Sequence, residues 1–138
     1  MKKPALFLFA LFAVALPAKA QTVEATSRTR WDQLPPVKMK SPYLDVARLN
    51  DWAEQILASG ECKVPGMRPN RFDIDQRYAV LVAPSGAVQR IVIGETGCAG
   101  LNTLIGSTVY DWAQHGEFRA TGESEPRWYV GRIAFARE

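Results

Sequence analysis

One histidine, two cysteines and a scatter of carboxylates bound the chemistry open to this 138-residue chain. His115 is the only imidazole, so any histidine-dependent acid–base step must pass through it. Asp111 precedes it by one helical turn, a spacing that suits a surface pair as readily as a dyad. Ser85, Ser107 and Ser124 lack the nucleophile-elbow context of a hydrolase serine. Asp73 and Asp75 flank Ile74 and share a side if that segment is extended. There they could act as acid and base, hold a cation, or stay solvated beside Arg71 and Arg77. Gly94-Glu95-Thr96-Gly97 ahead of a helix is a candidate anion seat at a helix N-terminus, though a neighbouring disulfide would give the tight turn a structural reason. Trp112, Trp128 and Tyr129 are candidates for lining a small pocket, or else for packing in the core. The chain contains no G-x-G-x-x-G, Walker-type loop or H-E-x-x-H. No catalytic residue, metal ligand or cofactor is therefore expected, and binding and interaction come ahead of a hydrolase or other enzyme, a distant third.

Those residues sit in a chain that opens like an exported protein. Met1-Lys2-Lys3 is a cationic start, residues 5–16 are an unbroken apolar run, and Pro17-Ala18-Lys19-Ala20 ends in a small-x-small pattern. A spanning helix needs about twenty apolar residues, so this run reads as a cleaved signal peptide over residues 1–20 rather than a retained membrane span. The expected destination is the bacterial periplasm. Cleavage removes Lys2, Lys3 and Lys19, equal to the whole formal charge of +3, and leaves a neutral mature chain. A neutral chain lacks the basic face that nucleic acid requires. In an oxidising compartment Cys62 and Cys98 are expected to pair as a structural disulfide. A redox pair or a metal site is disfavoured, because there is no C-x-x-C and only one histidine to add to the ligands.

The elements that must position these groups follow from periodicity. Residues 21–40 are polar and irregular, with Pro35-Pro36, and read as an N-terminal tail; residues 41–138 read as a single α+β domain. Ser41-Pro42 looks like a helix start. Val46, Leu49, Trp52, Ala53, Ile56 and Leu57 form an amphipathic stripe that Gly60 ends. Residues 78–83 and 88–93, separated by Pro84-Ser85-Gly86, predict a β-hairpin. Leu101, Leu104, Ile105, Thr108, Val109 and Trp112 mark one face of a second helix that stops at Gly116. Residues 128–135 predict a closing strand. The expected fold is a small three-stranded, mainly antiparallel ββαβ sheet with the helices packed on one face and one disulfide.

From Tyr78 onward the chain resembles the TonB C-terminal domain family. The resemblance is carried by Val80-Leu81-Val82, Pro84-Ser85-Gly86-Ala87-Val88, Ile91-Val92-Ile93, Thr96-Gly97-Cys98, Leu101 through Trp112, Gly116-Glu117-Phe118-Arg119-Ala120 and the strand from Arg127 to Phe135. It covers about residues 78–136. The chain has no long proline-rich spacer and no tyrosine-proline motif ahead of the hairpin, so what the resemblance implies is the fold and an envelope setting rather than energy transduction. It also implies binding by strand addition to an exposed sheet edge. The closing strand would be that edge, with Trp128, Tyr129, Ile133 and Phe135 as candidate binding residues and the partner a periplasmic or outer-membrane protein; the other reading is that Trp128, Tyr129, Val130 and Phe135 fill the core and cover a sheet face. The alternative is a small-molecule or envelope-component binding protein using the aromatic cluster around Trp112.

Overall fold

Alternation in Phe72-Asp73-Ile74-Asp75 already has a strand's period of two, and the chain is extended well before Tyr78. In the computed structural model, which describes residues 22–26 and 30–138, strand β2 runs Phe72–Val82. Phe72, Ile74, Tyr78, Val80 and Val82 are buried on one face, while Asp73, Asp75 and Arg77 are exposed on the other. β2 turns through Pro84-Ser85-Gly86 into β3 (Val88–Gly94), antiparallel to it, and β4 (Arg127–Arg137) pairs antiparallel along the whole of its opposite side. Gly86 turns the hairpin at φ +95°, with Phe118 O only 2.6 Å from where a Cβ would stand. A side chain there is excluded on both counts.

The expected α+β fold, three antiparallel strands with helices on one face, is thus observed. A fourth strand adds to it. β1 (Thr22–Thr26) pairs parallel with β3, giving the order β1-β3-β2-β4. Its five residues fall in the stretch expected to be an irregular tail; the open edge of β3 supplies the pairing that their own sequence does not advertise. The expected signal segment lies outside the described residues.

Helix α1 (Val46–Ala58) buries Leu49, Ala53 and Leu57, and α2 (Ala99–Gln114) buries Leu101, Leu104, Ile105, Val109 and Trp112. α1 begins later than Ser41-Pro42 suggests. The carboxylate of Asp45 accepts from Arg48 N–H at 3.0 Å and is the true N-cap. Upstream, the Tyr43 carbonyl accepts from the Trp112 indole N–H at 3.3 Å, which holds residues 41–44 out of the helix. The helices approach each other closely at Gly100, where a Cβ would lie 2.8 Å from Ile56 Cγ2.

Cys62 and Cys98 are bonded, with Cα atoms 5.4 Å apart and a sequence separation of 36. On the chain-entropy account such a closure stabilises the fold by about 3–4 kcal/mol. The bond fastens the loop after α1 to the first turn of α2. No helix among the described residues is long and apolar enough to cross a membrane.

Candidate functional site

The edge expected to receive a partner is where the topology puts it: β4 is the outer strand. Its outward side is partly occupied. Val37 N–H donates to Val130 O at 2.8 Å, and Val130 N–H donates to Pro35 O at 2.9 Å. The same segment turns away to the end of α2, where Arg119 N–H donates to Lys38 O and Lys40 N–H to Glu117 O. Residues 35–40 therefore form a strap between β4 and the chain following α2. At the far end of β4, Asn50 Nδ2 donates to Ala136 O at 2.8 Å, and Arg137 pairs with Asp51 at 2.7 Å and with Glu54, fastening the strand to α1.

Since Val130 and Ala136 both turn carbonyls outward, the two-residue period of the strand aims the N–H and C=O of Arg132 and Ala134 the same way. Those backbone groups have no partner among the described residues. A groove of about 430 Å³, lined by Val37, Met39, Tyr78, Val130 and Arg132 among others, runs beside them. Tyr78 forms its inner wall. Its ring crosses Gly131 so closely that a Cβ there would lie 2.2 Å from Cζ, and its hydroxyl reaches Met39 Sδ at 3.3 Å. Burial pushes the Tyr78 phenol up to about 12, so it stays a neutral wall at any physiological pH.

The side chains expected at this edge are distributed otherwise. Ile133 and Phe135 are buried under the helices, because odd-numbered residues of β4 point inward. They belong to the core and are not available to a partner. The three aromatics do not form one pocket. Trp112 is buried between the helices, 6.2 Å from Tyr78 in ring centroids. Tyr129 packs on the edge of the core and lines a separate cleft of about 230 Å³ with Pro36, Arg119 and Glu123. Trp128 stands on the opposite, uncovered face, where the Arg90 guanidinium lies 5.5 Å from its ring. Strand alternation separates Trp128 from Tyr129, and the sheet itself separates Trp128 from Trp112.

The polar candidates also resolve. Asp73 and Asp75 do share the uncovered face, but Asp75 pairs through both oxygens with Arg132 on β4. That hydrogen-bonded guanidinium holds the Asp75 carboxyl below the usual carboxylate range. At the start of α2 the candidate anion seat is filled by the chain itself. Gly97 N–H donates to Glu95 Oε1 at 2.9 Å, Thr96 N–H to Asn102 Oδ1 at 3.0 Å, Cys98 N–H to Thr96 Oγ1 at 3.1 Å, and Asn102 Nδ2 to Glu95 Oε1 at 2.6 Å. The Asn102 amide, and after it the Gly97 N–H, hold the Glu95 carboxyl below its usual range. Ser107 hydrogen-bonds back to Thr103 O along its own helix, and Ser85 accepts from Ala87 N–H within the hairpin turn. Neither hydroxyl bonds to His115, whose Nδ1 lies 2.7 Å from the Asp111 carbonyl rather than its carboxylate.

A feature that the sequence does not announce lies at the other end of α2. Tyr43, Asp45, Arg48 and Trp52 face Thr108, Asp111, His115 and Glu117 across a cleft of about 400 Å³, with Leu49 and Trp112 also in its lining. Trp52 falls in the apolar stripe of α1, yet it is 41% exposed, and Tyr43 is 83% exposed. A stripe residue left at the surface is the one sequence signal of this cleft, and it becomes legible only once the packing of α1 is known. The Arg48 guanidinium lies 4.8 Å over the Trp52 ring.

The chain matches no family model, curated protein or solved structure.

Proposed function

We propose that this is an exported, non-catalytic interaction domain of the bacterial envelope, which captures an extended segment of a partner protein along β4. The observation that carries this reading is the outward backbone of Arg132 and Ala134, which lacks a partner at a sheet edge flanked by a groove. The same strand already accepts an extended segment at Val130, so its edge is competent for pairing. A partner strand laid beside residues 132–134 would extend the sheet, drawing its affinity from main-chain hydrogen bonds and its selectivity from the groove. The export signal and the resemblance to TonB C-terminal domains supply the envelope setting.

The position for a test is set by the register. Proline at Ile133 would break the ladder to β2 and disturb the core, whereas Ala134 is exposed and its N–H points away from the sheet. Affinity purification from envelope extract with the Ala134→Pro variant, whose melting temperature is measured in parallel, is the test. The expected outcome is a folded variant that loses a partner held by the unmodified chain. A folded variant that retains every partner would remove strand addition at β4.

The alternative reading, a small-molecule or envelope-component binding protein, loses the aromatic cluster that first suggested it. It gains the cleft between the helices.

A further inference from the structure

The open stretch of β4 is short, and both of its ends are closed. Beyond Ala134 the Asn50 side-chain amide takes the Ala136 carbonyl, and before Arg132 the strap holds Val130. A strand advances about 3.3 Å per residue along a nearly straight line. A partner segment of ordinary strand length laid beside Arg132 and Ala134 therefore runs into the place beside Val130, which Pro36 occupies. It cannot add to the strap instead. Pro35 O and Val37 N–H face β4, so the residue between them turns its backbone outward, and that residue is a proline with no N–H to give. A partner must take the strap's place or stop at its margin.

The strap is held by two separate grips. Residues 35–37 touch β4 through a single parallel bridge of two hydrogen bonds, whereas Met39 bridges Phe118 in the antiparallel sense, with Lys38 and Lys40 bonded to Arg119 and Glu117. The first grip can open while the second holds. Pro36 and Val37 line the groove of about 430 Å³ on one side and the cleft of about 230 Å³ on the other. Pro35 and Pro36 are exposed, and Val37 is only half-buried. A stretch with two hydrogen bonds and space on both flanks lies at the weakly held end of local stability. We propose that residues 35–37 are a displaceable placeholder on the partner's seat, which withdraws from β4 as a partner segment binds and so joins the Val130 backbone to that of Arg132 and Ala134. The proposal rests on the reading of β4 as the partner edge and adds its regulation. The partner's apparent affinity is scaled by the fraction of chains in which the strap is open.

Amide hydrogen exchange, followed by NMR on the purified protein, tests this without a partner. The Val37 and Val130 amides, both spent on the strap bridge, should exchange about a hundredfold faster or more, after correction for intrinsic rates, than the Gly131 and Ile133 amides that face β2. Protection of Val37 and Val130 equal to that of Ile133 overturns the proposal, since the strap then opens only with the sheet. This arm uses no variant, so it decides the matter even where a substituted strap fails to fold. The second arm is capture from envelope extract by Val37→Pro, which removes the donor to Val130 and leaves Arg132 and Ala134 untouched. Any partner that Ala134→Pro loses should be held about fivefold more tightly by Val37→Pro than by the unmodified chain. Equal or weaker capture overturns the proposal and makes the strap a permanent guard of the edge. An Ala134→Pro chain that keeps every partner removes strand addition, and the placeholder falls with it for want of an occupant. Slow exchange in the strap removes the placeholder alone.

Discussion

The two ends of α2 are made of similar residue types and do opposite things. At the N-terminal end a carboxylate, an amide, a hydroxyl and three backbone N–H groups hydrogen-bond to one another, and the disulfide closes over them. At the C-terminal end, Asp111, His115 and Glu117, with the exposed aromatics Tyr43 and Trp52, line an open cleft. A turn of two glycines, a carboxylate and a threonine ahead of a helix looks more like a ligand site in sequence than a lone histidine before a glycine does. The structure fills that turn from within, because internal satisfaction of the polar groups, and not their presence, decides whether a site has anything left to offer.

The sharpest way to break this contrast is at the closed end. Replacing Cys62 and Cys98 together by alanine should cost about 3–4 kcal/mol and lower the melting temperature by about 15 °C, as thermal unfolding under oxidising conditions would show. Retention of the original melting temperature would mean that the loop and helix are held by packing alone. Next in size, Asn102→Ala removes the acceptor for Thr96 and the donor to Glu95, and should destabilise by about 1–2 kcal/mol, measured by denaturant unfolding. At the open end, Asp111→Asn with Glu117→Gln should change stability by no more than about 0.5 kcal/mol. A large loss there would show that those carboxylates hold the fold together after all. The smallest effect is a pH dependence. Because the Glu95 carboxyl is lowered in the folded chain, its stabilising contribution is complete above the ordinary carboxylate range and disappears as pH falls through the lowered folded value. Glu95→Gln should therefore flatten a small part of the acid-side decline in melting temperature. Asp75, lowered by Arg132, contributes with the same sign and should survive in the Glu95 variant.

What sequence reveals here tracks how local the cause is. The hairpin, the stop of α2 at Gly116 and the cysteine pairing are written in turn residues, apolar spacing and an even cysteine count, and they stand as expected. The start of α1 is displaced because a tertiary bond from Trp112 competes with a good local helix start at Ser41-Pro42. β1 is invisible in sequence because Thr-Val-Glu-Ala-Thr carries little burial pattern and is given its form by the edge of β3. Parity decides between the two readings of the closing strand: its edge position is as expected, and the pairing with β2 turns Ile133 and Phe135 inward, to the core. The cleft draws on Tyr43 and Glu117, far apart in sequence, and no window along the chain contains both.

The strap at residues 35–40 has a consequence in time rather than in space. Its bonds to Val130 join it to a strand far along the chain, so a chain emerging from its amino end holds that segment unpaired until β4 has been delivered. Closure of the β4 edge by the strap thus waits on β4 itself, and of all the sheet's contacts it is among the most expensive in loop closure. Until the strap closes, the outward N–H and C=O of Val130 are open beside those of Arg132 and Ala134, and a partner present at that moment would meet a longer edge than the finished domain presents.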